Sequence, residues 1–350
     1  SITLSGEFYY DFFNGESIPQ LSNILRECYL SIYPDWGDIK IGQKFTNKGK
    51  VDVFSPLNIF NASYRELLSL DEPYQGKLPE LGVEVNYFIN DENSLELVYI
   101  PFPRSDYQSS GELDVNDLNL TLLKTTDSYL TSHSNSFFIT YNKYGYLFDA
   151  QVTYGNYIDG NYNYNINTNN SGISKIFNRV QTLGAAISTS FNSVSVVEEV
   201  AFNLTEDFYG DKIGIKNSDF TMNTQFTKSL LGNTYSQINI IYQHVFNYSK
   251  AESNSIQEAI YDIQLQPTDN IVFIIGHLHN SFLREKLYAA LNLGFFFSTN
   301  IYVAPRLNYK INDNLTLESG LDIYTGKYIP KLLEEDLGGD NFFVRMKYEL

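Results

Sequence analysis

The sequence predicts an all-β fold: a transmembrane antiparallel up-and-down β-barrel of 16 or 18 strands. Three observations carry this. Strand-like segments of about ten residues, the length that crosses a bilayer at a tilt, follow one another from end to end. Apolar and polar residues alternate within them. The chain also holds 28 tyrosines and 25 phenylalanines against one tryptophan and two methionines. Aromatic residues favour strands, and in membrane barrels they form girdles at both interfaces. A sandwich shows the same alternation with its apolar face turned inward. Strand length, the lack of helical interruption and a last strand ending in Tyr348 and Leu350 favour the barrel, whose apolar face meets lipid.

Ile2, Leu4, Phe8, Tyr10 and Phe12 share one face of a first strand, against Glu7 and Asp11. A tight hairpin follows. Cys28, Leu30 and Ile32 line one strand, Pro34-Asp35-Trp36-Gly37 make the turn, and Ile39, Ile41 and Phe45 line the return. Alternation then stops. Residues 46–80 carry Gly49 and Pro56, and Ser63 and Glu66 have capping-box spacing ahead of Leu67, Leu68 and Leu70, which predicts a short helix. A strand pair feeding a long, compact, non-strand segment suggests an insert folded into the lumen, with Asp52, Asn58, Arg65 and Glu66 as its polar residues.

Strands at 82–90 and 95–102 turn at Asp91-Glu92-Asn93-Ser94. The stretch 103–134 is polar and irregular, with one extra strand suggested by Leu118, Leu120 and Leu122. Phe137, Ile139 and Tyr141 resume the alternation, and Phe148, Ala150, Val152 and Tyr154 continue it. Residues 156–172, rich in Asn and Tyr, cannot build a packed core and predict a long exposed loop. Paired strands follow at 177–191 and 193–204, at 219–230 and 234–247, and at 256–266 and 271–279. The last third alternates most regularly, from Leu287 to Leu350. Short turns alternate with long loops, the asymmetry of periplasmic and extracellular connections. That parity breaks between 249 and 300.

The chain is long enough for two soluble domains, but continuous strands predict one barrel domain over 1–350. No apolar run reaches the roughly 18 residues of a transmembrane helix. No signal-like segment opens the chain, so Ser1 reads as a processed or engineered start. Cys28 alone makes no internal disulfide, and on a strand it reads as a residue facing lipid or a neighbour. The formal charge of −17 argues against nucleic acid as a partner. It does not argue against outer-membrane lipid, because a lipid-facing band needs no charge.

The string Ile41-Gly42-Gln43-Lys44, then Gly49, Phe54-Ser55-Pro56-Leu57-Asn58 and Arg65-Glu66-Leu67, resembles a family of bacterial outer-membrane porin-like barrels near the alginate-export channels. The match runs on through Leu78-Pro79 and Leu97–Phe102, about the first third of the chain. Gln43-Lys44, Lys48 and Asn58 depart from the family's usual Arg-Gln, Trp and Asp. The resemblance implies a channel in the bacterial outer membrane.

No catalytic set and no cofactor site is evident. His277 and His279 continue a strand face but have no carboxylate or cysteine in obvious reach, so they read as interfacial rather than metal-binding. The charged faces are more informative. With apolar faces toward lipid, Lys40, Lys44, Arg306, Lys310, Arg345 and Lys347 come from the first and last strands, which closure brings together into a basic wall. Glu84, Glu96, Asp149, Glu258 and Asp262 come from mid-chain strands and predict an acidic wall opposite. The expected function is passive passage of small polar solutes. The alternative is an occluded barrel serving as an adhesin or as the outer-membrane partner of a lipid or polymer exporter.

Overall fold

The computed structural model describes residues 1–6, 25–62, 77–105, 121–122, 135–160, 163–167, 172–210, 212, 215–230, 234–248, 266, 268–296, 300–325 and 341–348. Its strands are β1 (Ile2–Gly6), β2 (Leu25–Ile32), β3 (Gly37–Lys44), β4 (Glu80–Asn90), β5 (Asn93–Ile100), β6 (Thr121–Leu122) and β7 (Ser136–Lys143). They continue with β8 (Asp149–Ile158), β9 (Asn163–Asn167), β10 (Gly172–Ile176), β11 (Arg179–Phe191), β12 (Val194–Thr205) and β13 (Asp219–Ser229). The last are β14 (Tyr235–Val245), β15 (Asn270–Phe282), β16 (Leu287–Phe296), β17 (Asn300–Lys310), β18 (Leu315–Thr325) and β19 (Asn341–Tyr348).

Sixteen of these form one sheet in the order β1-β2-β3-β4-β5-β7-β8-β11-β12-β13-β14-β15-β16-β17-β18-β19, and each neighbouring pair is antiparallel. Sixteen is one of the two strand numbers the alternation predicts. The other three strands form a separate small sheet in which β10 pairs with β9 and β6. Of the predicted strand around 118–123, Thr121 and Leu122 are described and pair in this small sheet, and the 156–172 stretch carries β9 and the start of β10. Asn- and Tyr-rich sequence lacks an apolar face, yet cross-strand backbone pairing needs none.

β14 pairs directly with β15, and the predicted strand over 256–266 lies, apart from Gln266, outside the described residues. Short connections at 33–36, 91–92, 144–148, 192–193, 230–234, 283–286 and 311–314 lie at one end of the sheet, and all but one of those at the other end are long. The exception is the three-residue connection between Phe296 and Asn300. Local geometry fits the tight turns: Asn192 and Ser193, and Leu283, Arg284 and Glu285, adopt positive φ between directly paired strands. The predicted helix at 63–70 lies outside the described residues.

The two sheet faces are opposite in character. One exposes Leu97, Ile139, Leu183, Ile238, Ile274 and Leu307, while the other buries Glu84, Thr153, Asn223, Asn239, Asn292 and Arg306. Aromatic side chains on the apolar face gather toward the strand ends. Tyr87, Tyr141 and Tyr309 lie near the short turns, and Tyr99, Phe137 and Phe202 near the long connections. This is the burial pattern of a barrel in lipid and the inverse of a soluble sandwich.

The inner face is not uniformly polar. Val98, Ile100, Phe138, Val180 and Ile275 point inward and are buried. They mark where the connection between β3 and β4 packs inside. Lys48 pairs with Glu96 on β5, and Val53 packs against Ile275 on β15, seven steps around the sheet. Seven strand spacings cover about 34 Å on a flat sheet. The chain from Lys48 to Val53 reaches at most about 18 Å. The sheet is therefore curled around this segment.

Candidate functional site

The lumen is the site, and the segment 46–62 organises it. The β12 sequence places Glu198 and Glu199 side by side, so strand alternation sends one carboxylate to each face. Glu199 faces inward and is fully buried. It accepts hydrogen bonds from the backbone N–H groups of Lys50 and Val51, the latter at 2.8 Å, and from the Ser55 hydroxyl at 2.6 Å. Charge-assisted bonds of this kind are about twice as strong as neutral ones. Gly49 permits the approach: its φ is +93°, and a Cβ there would come within 2.8 Å of the Glu199 carboxylate.

β13 continues the same grip. The Gln225 side chain accepts from the Asp52 N–H and donates to the Asp52 carboxylate, both at 2.8 Å. Asn223 donates to the carbonyls of Val53 at 2.8 Å and Phe54 at 3.2 Å. Three inward side chains on adjacent strands thereby satisfy backbone groups that a loop inside a barrel otherwise leaves without partners.

Apolar contacts fix the rest. Leu57 is fully buried against Ala186 and Ala201 and lies directly over Gly184, where a Cβ would collide with its side chain. Phe60 packs on Phe138 with ring centroids 4.1 Å apart, and Phe138 on Tyr157 at 5.6 Å. At the base of the loop, Asn61 accepts from the Thr46 N–H at 3.1 Å and donates to the Leu78 carbonyl at 3.0 Å. This ties the two ends of the excursion together.

The charged residues come together differently from two opposed walls. Lys40 lies 3.4 Å from Glu84, and Lys44 pairs with the other oxygen of the same carboxylate. Lys48 pairs with Glu96. Glu84 and Glu96 thus neutralise nearby lysines instead of facing them across the lumen. Asp149 accepts from the Gly145 N–H at 3.0 Å and fixes the turn after β7.

On the last strands, Arg306 pairs with Asp322 at 2.5 Å and Arg345 with Glu318 at 3.6 Å. Arg306 also donates to the Leu321 carbonyl at 2.9 Å. The register puts Leu321 opposite Pro305, which has no N–H to give, so the guanidinium takes that role. Phe343 lies under both arginines, with its centroid 5.0 Å from Arg306 and 5.2 Å from Arg345. Lys310 is exposed at the short-turn end and Lys347 lies on β19. Glu258, Asp262, Arg65 and Glu66 lie outside the described residues.

His277 and His279 do not sit at the lipid interface. They continue the inward face of Ile271 and Ile275: His277 Nδ1 is 2.6 Å from Asn292 Oδ1, and its Nε2 is 2.9 Å from His279 Nδ1. The face they continue is apolar because the insert packs on it, and sequence alternation alone reads such a face as lipid-facing. Among the described residues, no group of three or more His, Cys, Asp or Glu is placed to hold a metal ion.

Among the described residues, the contacts of 46–62 fall on β3 to β15 and on the turn after β7. The inner face of β16 to β19 carries its own charged cluster. The lumen therefore has an insert on one side and a charged wall on the other.

An inverted sheet of this kind, curled around a polar interior, defines a porin-like barrel of the outer-membrane type. No protein-family model and no curated protein sequence matches the chain. Among solved structures, it is similar to Acinetobacter baumannii OccAB4, with TM-score 0.51 and 9% identity over 97% of this chain and 78% of that one. It is also similar to Pseudomonas aeruginosa OpdK, solved with vanillate, with TM-score 0.51 and 9% identity over 98% and 82%. Both are porin-like outer-membrane channels, and the likeness at this identity is one of fold.

Proposed function

We propose that this chain resides in the bacterial outer membrane as a channel for the passive passage of small polar solutes, with the 46–80 connection as its constriction. The observation that carries the reading is the sidedness of the insert. Its contacts occupy the inner faces of β3 to β15, while Arg306, Asp322, Glu318 and Arg345 line a separate wall. A water path between a folded loop and a wall of paired charges selects by size and by hydrogen bonding more than by net charge.

The basic residues from the first and last strands, Lys40, Lys44, Arg306, Lys310, Arg345 and Lys347, give this path its ion preference. Their carboxylate partners reduce that preference without removing it. Planar-bilayer recording of the purified protein tests the reading. Steady open-channel current is the expected result. A silent protein, inserted and folded, rejects the channel and favours the occluded barrel.

A further inference from the structure

His277 and His279 lie two residues apart on β15, so their side chains share its inner face. They stand on the short-turn side of the contact between Val53 and Ile275, and both rings are partly exposed. Neighbouring strands hold them in place. Asn292, buried and directly opposite His277 on β16, accepts at Oδ1 from His277 Nδ1 at 2.6 Å. That nitrogen therefore carries the hydrogen, and His277 Nε2 keeps its lone pair. Nε2 lies 2.9 Å from His279 Nδ1. Tyr235 on β14 stacks on the His279 ring, with centroids 4.6 Å apart and planes 19° from parallel, and Tyr288 on β16 flanks it at 4.9 Å.

Two histidine nitrogens bound to one ion at about 2.0–2.1 Å and at right angles stand about 2.9 Å apart. That separation is already present between His277 Nε2 and His279 Nδ1. Tetrahedral ligation needs about 3.3–3.4 Å. The spacing therefore suits the square nitrogen-and-oxygen geometry of Cu2+ better than the tetrahedral geometry of Zn2+, and Cu2+ also heads the affinity order of the divalent first-row metals. A ligating histidine commonly donates its other ring N–H to an acceptor that fixes the ring, and His277 already does so to Asn292.

We propose that His277 and His279 bind one divalent late first-row metal ion on the inner wall, Cu2+ ahead of Ni2+ and Zn2+, with water completing the coordination. The ion takes the place of the hydrogen between the two rings. His277 Nε2 needs no change of protonation, and the His279 hydrogen passes from Nδ1 to Nε2, so no proton is released. The inference goes beyond solute passage and needs no open pore, so it stands or falls independently of conductance.

EPR titration of Cu2+ into the untagged, detergent-solubilised full chain tests it. One equivalent binds with a tetragonal spectrum, and pulsed EPR shows the remote nitrogens of two imidazoles. His277→Ala and His279→Ala each leave one imidazole and weaken binding at least tenfold. His244→Ala, on the outer face of β14, changes neither the spectrum nor the affinity. A tenfold excess of Mg2+ leaves the Cu2+ in place. Bound Cu2+ without two imidazole nitrogens in the unaltered protein overturns the site. Displacement by Mg2+, which would assign the ion to carboxylate oxygens, or undiminished binding in the double alanine variant does the same.

Discussion

Ser55 Oγ donates a 2.6 Å hydrogen bond to Glu199 Oε2 across 144 residues of sequence, and this bond joins the insert to the barrel wall. Because the same carboxylate also accepts from Lys50 and Val51, removing it strands several donors at once. Each buried donor left without a partner costs about 1–3 kcal/mol. Glu199→Ala is therefore expected to destabilise the protein by about 3 kcal/mol or more in urea unfolding and to raise single-channel conductance as the insert loosens. Glu199→Gln, which keeps a carbonyl acceptor, falls between. Unchanged conductance in the Ala variant would separate the insert from the constriction.

Leu57 and Gly184 form the apolar counterpart of that latch. A methyl group at 184 meets the Leu57 side chain, and overpacking of this kind costs about 1–3 kcal/mol. Gly184→Ala should lower stability by that amount, while Leu57→Ala should cost about 2–5 kcal/mol through the lost burial. In the double variant the steric penalty disappears, so the two changes are less than additive. Strict additivity in denaturant midpoints would show that Leu57 does not sit over Gly184.

Period-two alternation makes most barrel strands legible, because lipid outside and a hydrated interior impose opposite chemistry on adjacent residues. It fails at Ile271 to His279, whose inward apolar face mimics a lipid-facing one. The insert is visible from the break in alternation at residues 46–80. Its anchors are not. Glu199 is marked only as one of two adjacent glutamates among valines, and Asn223 and Gln225 only as polar alternation. Which wall the insert reaches depends on strand number and curl, and neither is written in any local stretch of sequence. The basic wall is partly legible for a similar reason. Alternation gives the side each lysine faces, but the pairing of Lys40 and Lys44 with Glu84 depends on strand register.

Charge reversal tests that wall. Lys40→Glu puts a third carboxylate beside Asp38 and Glu84, and Arg306→Glu puts one beside Asp322 while withdrawing the donor to Leu321. Each variant should move the reversal potential in a salt gradient toward cation preference, and the double variant should move it furthest. Potentials matching the unaltered channel would mean that permeating ions do not pass these residues.

Neighbours on β16 give a direct measure of which face meets lipid. Asn292 is 1% exposed on the inner face, and Leu291 is turned the other way. In protein reconstituted into bilayers, a spin label at 291 should be relaxed mainly by oxygen, which concentrates in hydrocarbon. A label at 292 should respond mainly to a water-soluble relaxant. Reversed accessibilities would invert every strand assignment.

Glu198 puts a carboxylate on the lipid-facing side. It stands between Val196 and Val200 near the middle of β12, opposite Ile187 on one neighbour and Thr224 on the other. The Thr224 hydroxyl donates to its carboxylate at 2.5 Å, which leaves most of the group's hydrogen-bonding capacity unmet in hydrocarbon. Polar burial without full compensation is unfavourable, and acidic residues on the outer face of a membrane barrel cost less than basic ones, whose midplane cost is about 2–4 kcal/mol. Glu198→Val extends the valine row and should stabilise the barrel in lipid by about 1–2 kcal/mol, read from urea unfolding in vesicles. A loss of stability instead would show that the carboxylate meets a polar partner in the membrane, and chemical cross-linking in native membranes would then identify what faces β12.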